Sequence, residues 1–450
     1  MMNKNIIQGS PTKTFFIEMI TRDISIKDAI LDLLDNSIDG ANNLNSDSYE
    51  GLYVDLTINE SEFIVKDNCG GFSLEIAQKY AFRFGRPDDA PATEGSIGRF
   101  GVGMKRALFK IGNVFEVEAK TTSDHFQIDV KVKEWKKKKT RIKNEDDEEL
   151  TVEDWNFNYN DITPQTSNLT ENGTFIKVTE LNDEVSTFFK EDSFLYNLKS
   201  DIERLLNFSI EKGLKITLNG ELLIKKGIVI FNDLSKPYFA DFEFDNVKVR
   251  IVAGLSYVGE PSKSGWYIYC NDRLVLEADR SDITCWGTKG IPKWHIKHVM
   301  FRGIIFFDSK DTIKLPLTTT KKGIDASSEV FLKYKFYMRN AMNSILTFLN
   351  EISKLGSDAN NYRELLGEQE DKILVKDLKS YIPSDLEKFI APKLEIENIS
   401  EKKDFARISF NVDRNIANKA KSYSETRTYK ELGKYIFDYY VKMEELEEDE

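Results

Sequence analysis

Four glycines fall within nine residues, Gly95, Gly98, Gly101 and Gly103, in the run Gly95-Ser-Ile-Gly-Arg-Phe-Gly-Val-Gly-Met-Lys105. Glycine loses more conformational freedom on ordering than any other residue, so such a run does not fill the interior of a helix or strand. It reads as a loop with exposed backbone N–H groups. The helical pattern that resumes at Met104 points its N-terminus at the same place, and the two together make an anion site. The run lacks the Gly-Lys-Ser/Thr ending of a Walker loop, and no apolar strand precedes it as a dinucleotide βαβ unit requires. A glycine-rich loop alone is weak evidence, so its neighbours decide its meaning.

Upstream, Ile26, Ala29, Ile30, Leu33, Leu34 and Ile38 recur at helical spacing. They predict a helix over residues 24–41, with Ser25 as N-cap and Gly40 near its end. Asp32 and Asn36, four apart, share one face of it. A carboxylate beside a carboxamide can orient a water and hold magnesium next to a phosphate; the plainer reading is a solvated face. Strands are expected at 52–58 and 63–65, and the second runs into Asp67-Asn-Cys-Gly-Gly71. A tight turn with bare backbone lets a flat ring approach, with Asp67 accepting from an exocyclic amine; the plainer reading is an Asx turn. Cys69 reads as a small buried filler.

The rest of the chain sets bounds. It has 450 residues, 40% hydrophobic and 31% charged, enough for a full core and about three domains. The net charge of −12 argues against a protein that coats nucleic acid but leaves room for a local basic patch. Three cysteines without a CxxC pair suggest no disulfide framework and a reducing cytoplasm. No stretch approaches the roughly 18 apolar residues of a membrane helix. Strands are expected at 114–119, 125–132 and 174–178, and a mobile loop at 84–103. The basic run 136–139 and the acidic run 145–149 read as a solvated hairpin tip, with a phosphate-contacting loop as the sharper alternative. A helix over 195–211 leads to strands at 214–218, 247–252 and 266–270, then a helix at 330–355. Residues 356–400 look helical and polar, and the chain ends on an acidic tail.

The three motifs, in this order, resemble the nucleotide-binding boxes of the gyrase, heat-shock chaperone, histidine kinase and MutL (GHKL) ATPase superfamily. Gly173-Thr174-Phe175-Ile176 resembles its final Gly-Thr box, and GRFGVGMK is closest to the Microrchidia (MORC) proteins and the heat-shock chaperones. The implied fold class is α+β: a GHKL (Bergerat) ATP-binding α/β sandwich over 1–185, a transducer-like α+β domain over 186–350, and a mainly helical C-terminal region over 351–450. The resemblance implies ATP and Mg²⁺ as cofactors. Asn36 would bind the metal. Asp32 would be the general base, where most hydrolysing relatives carry the longer Glu. Asp67 would read the adenine amine, and Gly71 would let the ring approach. Gly98, Arg99, Phe100, Gly101, Val102, Gly103 and Lys105 would surround the phosphates. Thr174 would support the adenine end by its hydroxyl, and residues 84–97 would be the lid.

In the run Leu315-Pro-Leu-Thr-Thr-Thr-Lys321-Lys322-Gly323, Lys321 is the candidate transducer lysine that reaches the γ-phosphate, with Lys322 second. The segment 265–275 resembles a MORC-like transducer strand with a turn at Asn271-Asp272. Trp286, Trp294, His295 and His298 read as ordinary packing before a stacking surface, and two histidines three apart lack a third zinc ligand. Residues 407–412 alternate polar and apolar, and helices are expected at 415–423 and 428–442. Strand, helix, helix over 405–443 resembles a ribbon-helix-helix module, in which Arg407, Ser409 and Asn411 would face bases; a helical dimerisation tail is the plainer reading.

The function implied is an ATP-gated homodimeric clamp that hydrolyses ATP, with nucleic acid as its client in a genome-defence or chromosome-handling role. A histidine kinase fits poorly, because no histidine precedes the Asp32–Asn36 helix. A chaperone-like clamp on protein clients and a nucleotide sensor without useful turnover are the other readings.

Overall fold

The computed structural model describes residues 9, 11–85, 102–143, 149–163, 165–225, 227–257, 260–318, 323–355, 358–367, 371–383, 388–392, 408–424 and 426–443. The chain divides into two compact units, 1–393 and 394–450.

The first unit begins with helix α1 (Lys13–Arg22), capped by the Thr12 hydroxyl, and helix α2 (Ile26–Leu44). A capping box fixes the start of α2. The Ser25 hydroxyl accepts from the Asp28 N–H at 3.2 Å, and the Asp28 carboxylate accepts from the Ser25 N–H at 3.3 Å. The helix runs past Gly40, because Ala41 packs into the core and Asn45 caps its carbonyl.

Strands β1 (Tyr53–Ile58) and β2 (Glu62–Asp67) form a hairpin with apolar residues buried at every second position. Helix α3 (Gly103–Ile111) leads into β3 (Gly112–Lys120) and β4 (His125–Lys131). Then come β5 (Asn160–Asp161), β6 (Gly173–Leu181), helix α4 (Asp192–Leu205), β7 (Lys215–Leu218) and β8 (Glu221–Leu222). These strands make one eight-stranded sheet in the order β8-β7-β1-β2-β6-β3-β4-β5. Ile30 and Leu34 of α2, Leu108 of α3 and Leu198 of α4 share a core with Val54, Val65, Val117 and Val178 of the sheet. The strand at 214–218 was expected in a second sheet. It lies in the first instead, parallel to β1, so the first sheet draws its edge from beyond residue 185. The basic run joins a short helix, Val132–Lys137, to an outlying hairpin of Lys139–Lys143 with Glu149–Glu153.

A second sheet follows. Its members are β10 (Tyr238–Phe244), β11 (Val247–Leu255), β12 (Gly265–Cys270), β13 (Arg273–Asp279) and β14 (Phe301–Asp308), in the order β10-β11-β14-β12-β13. β14 is apolar almost throughout because both faces of the sheet are covered. Helix α5 (Glu329–Ile352) covers one face through Phe331 and Tyr334, which meet Phe307 and Phe242. Phe208, Ile230 and Val375 pack on Val252, Tyr267 and Phe306 from the other. The expected turn Asn271-Asp272 joins β12 to β13 with φ of 45° and 67°, the left-handed pair that a tight two-residue hairpin requires.

The expectation of a mainly helical region from 351 onwards is corrected in one respect. After helix α6 (Asp358–Gly367), strand β15 (Lys372–Leu374) pairs antiparallel with β9 (Val229–Phe231). Ile373 is buried between the half-buried Lys372 and Leu374, the alternation of a short strand. The second unit holds helices α7 (Arg414–Tyr423) and α8 (Tyr429–Met443). The expected strand at 407–412 is not formed by the described residues 408–412. No helix among the described residues is long and apolar enough to cross a membrane.

Candidate functional site

Helix α2 carries Asp32, Asp35, Asn36 and Ser37 on adjacent turns. Asp32 is buried and its carboxylate pairs with the Arg106 guanidinium of α3 at 2.5 Å. Asp35 is fully buried and pairs with Arg273 of β13 in the second sheet. Asn36 is exposed. Ser37, the next residue, donates its hydroxyl to Asp67 Oδ2 at 2.7 Å. The spacing explains this division. Asp32 and Asn36 are four apart on one face, while Asp35, the residue before Asn36, is turned about 100° from it around the helix, towards the second sheet.

Asp67 ends β2 and is 3% exposed. Besides Ser37, it accepts the Cys69 N–H at 2.9 Å and the Thr174 N–H at 3.1 Å, both on Oδ1. Burial raises its carboxyl above the usual range, against the downward pull of these three bonds. One lone-pair direction on Oδ2 is left beside the serine hydroxyl. Thr174 thus meets Asp67 through its backbone N–H. Cys69 is buried as expected.

Gly71 has φ of 65°, and a Cβ there would lie 2.4 Å from the Lys120 carbonyl and 2.7 Å from that of Gly173. Its bareness thus seats the turn against β3 and β6. Gly40 plays the same part from the helix side, where a Cβ would lie 2.5 Å from the Cys69 carbonyl. The turn and α2 are in backbone contact.

Helix α3 starts at Gly103 with no side-chain cap, since Val102 at the N-cap position has nothing to accept with. A Cβ on Gly103 would sit 3.5 Å from Asp32 Oδ2. The first N–H groups of α3, which take no side-chain cap from Val102, and the exposed Asn36 thus flank Asp32. Gly98, Arg99, Phe100 and Gly101, most of the expected lid, and Lys321 with Lys322 lie outside the described residues. Either side of the two lysines, Leu317 and Ile324 form an antiparallel bridge and Thr318 N–H donates to the Gly323 carbonyl at 3.1 Å.

Lys105 is 2% exposed, and its ammonium donates to the Ala81 carbonyl at 2.5 Å, 5.9 Å above the Phe84 ring. Its side chain is thus drawn under the helical segment at 74–81. Burial lowers its pKa from 10.5 to about 7. Between these values the unfolded chain binds the extra proton, so stability rises with pH across that window. Lys105→Met removes this dependence. Urea unfolding of the wild type is expected to gain up to roughly 1.4 kcal/mol per pH unit on the variant between about pH 7 and 10.5; parallel pH profiles would show that the ammonium stays charged.

Two cavities of the first unit are lined by neither Asp32 nor Asn36. One of about 650 Å³ is lined by Phe16, Phe82, Trp155 and Phe157 among others. One of about 430 Å³ is lined by Leu44, Asn68, Gly70 and Glu171 among others. Trp286 packs on His298 and Phe301, and the Trp294 indole donates to Ser264 at 2.9 Å. Among the described residues no group of three His, Cys, Asp or Glu forms a metal cage. Asn36, as a single exposed carboxamide oxygen, fits a magnesium that keeps waters and phosphate oxygens as its other ligands.

Arg106, Ser37 and Arg273 carry no signal in the sequence: each acts on a motif residue from a separate element or from the residue next door. Comparison with known proteins matches residues 24–167 to the family described as histidine kinase-, DNA gyrase B-, and HSP90-like ATPase. No curated protein shows a significant match to the chain. The stretch that holds Asp32, Asn36, Asp67 and α3, about a third of the chain, is thus similar to the ATPase domains of this family and supports a place in the GHKL superfamily.

Proposed function

We propose that the protein is a Mg²⁺-dependent ATPase that works as an ATP-gated homodimeric clamp on nucleic acid. One observation carries the reading. Helix α2 touches the Asp67 turn through Ser37 and the N-terminus of α3 through Asp32, and leaves Asn36 open beside them. The Asp67 carboxylate accepts the adenine amine. The α3 N-terminus takes phosphate oxygens, as unpaired helical N–H groups do. Asn36 holds the metal, which when bound neutralises phosphate charge and fixes the triphosphate geometry. Asp32 orients and deprotonates the attacking water once Arg106 gives way. Lys321 approaches the γ-phosphate from the second domain. Nucleic acid as the client rests on the MORC-like glycine run and on the fit of 405–443 to a ribbon-helix-helix pattern.

A nucleotide sensor is the second reading, and the Asp32–Arg106 pair favours it. The Arg106 guanidinium at 2.5 Å occupies the carboxylate oxygen that an attacking water would have to reach.

Isothermal titration with Mg-ATP tests the pocket. Asn36→Ala is expected to lose at least about 30-fold in affinity, since a metal-bridged phosphate contact is worth about 2 kcal/mol or more. Unchanged affinity would sink the assignment. Steady-state turnover with and without duplex DNA then separates the readings. Acceleration by DNA supports the clamp on nucleic acid, turnover indifferent to DNA points to a protein client, and binding without turnover selects the sensor.

A further inference from the structure

Helix α3 begins with no acidic residue in its first turn and carries two cations there, Lys105 and Arg106. A helix N-terminus favours negative charge, so cations at this end are held at a cost. The two are disposed of differently. The Lys105 ammonium is drawn away to the Ala81 carbonyl. Arg106 stays at the helix start, because side chains on a helix lean towards its N-terminus. Its guanidinium donates to Asp32 Oδ2 at 2.5 Å, the oxygen from which a Cβ on Gly103 would lie 3.5 Å.

Asp32 does not satisfy the guanidinium. It is the carboxylate that pairs with Arg106 among the described residues, yet Arg106 Nε is buried there with no hydrogen-bond partner. An arginine fork offers five N–H donors and suits a phosphate, which can take two parallel bonds from it.

Position along α2 says which phosphate. Ser37 touches the Asp67 turn and Asn36 is open beside it. Asp32 lies five residues before Ser37, about 7.5 Å nearer the start of the helix. A nucleotide with its adenine at Asp67 and its metal at Asn36 therefore carries its last phosphate, not its first, towards Asp32 and Arg106. Two demands fall on the one carboxylate: it balances Arg106 and, on the proposed reading, it acts on a water. It cannot do both while the guanidinium covers Oδ2. A terminal phosphate brings the negative charge that Arg106 needs and ends the conflict.

We propose that Arg106 is the group by which this chain tells ATP from ADP: it holds Asp32 in the nucleotide-free protein and passes to the terminal phosphate when ATP binds, which uncovers the Asp32 oxygen. With ADP the pair stays closed. The inference rests on the ATP pocket proposed above and adds what opens and shuts it.

Isothermal titration of ATP and of ADP, each with Mg²⁺, tests it in an Asp32→Asn background, where turnover is expected to stop and no buried carboxylate is stranded. Adding Arg106→Met is expected to weaken ATP at least about tenfold, as loss of a charge-assisted hydrogen bond does, and to leave ADP within about threefold. Adding Arg106→Lys, which keeps a charge without the fork, is expected to retain part of the preference for ATP. ADP binding also reports that each variant is folded. Unchanged ATP affinity in Arg106→Met, or equal weakening of ATP and ADP, would overturn the proposal and leave the pocket standing. An Asp32→Asn protein that binds neither nucleotide would overturn the pocket and this role of Arg106 together.

Discussion

Asp32→Asn is expected to stop ATP turnover while leaving Mg-ATP affinity within a few-fold of the wild type. A positioned general base contributes typically 10²- to 10⁴-fold, so kcat should fall by at least about 100-fold. The substitution suits the site. Asp32 is 5% exposed, lies beside the start of α3 and accepts from Arg106 at 2.5 Å. A carboxamide oxygen can still accept that bond, and the side chain keeps its length and shape, so the helices stay in register. What is lost is the ability to take a proton. Single-turnover and steady-state measurements on purified protein decide the matter: normal hydrolysis by the variant would place the base elsewhere. The pairing with Arg106 makes the same experiment informative about rate. If the wild type itself turns over very slowly, the guanidinium is the first group to suspect, because a carboxylate held as an ion pair must shed its partner before it can act.

The pocket was legible in the sequence to the extent that its parts are local. Helical spacing from Ile26 to Ile38 and the Ser25–Asp28 box specify α2, and with it the shared face of Asp32 and Asn36. Asp67 at a strand end followed by glycines specifies the turn, and Gly71 with φ of 65° obeys that chemistry. What the sequence hid is which partner each charged residue takes. Arg106 sits beside Lys105 on α3, yet one pairs with Asp32 and the other turns under the segment at 74–81. Only the crossing of α2 and α3 decides that, and no spacing encodes it. Strand β7 was misplaced for a related reason. A four-residue apolar alternation reports a strand but not its sheet, and the parallel pairing with β1 is a non-local choice. The strand expected at 407–412 differs again: its pattern is present, and no described residue pairs with 408–412.

Asp35→Ala is expected to destabilise the first unit by about 3–5 kcal/mol, the typical cost of stranding one partner of a buried ion pair. Asp35 is fully buried beside Asn36, and its partner Arg273 on β13 is 6% exposed. Arg273 Nε already lacks a partner among the described residues, so removing the carboxylate leaves the guanidinium with little compensation. Breaking the pair from the other side, by Arg273→Met, strands Asp35 and should cost a similar amount. Replacing both, in Asp35→Leu with Arg273→Met, removes the charges together and should recover most of the loss, because apolar substitutes for a buried pair are often neutral or stabilising. Urea unfolding of the four proteins forms a double-mutant cycle, and a coupling below about 0.5 kcal/mol would show that the two residues are independent. The pair also joins the helix that carries Asn36 to the second sheet, the only direct link of this kind that α2 makes through a buried side chain among the interactions described above. If the cycle shows strong coupling, the double variant should fold well yet transmit less: ATP binding at Asn36 would persist, while any nucleotide-dependent protection of β13 in hydrogen exchange would weaken. Stability and transmission then separate, which a purely structural role for the pair would not allow.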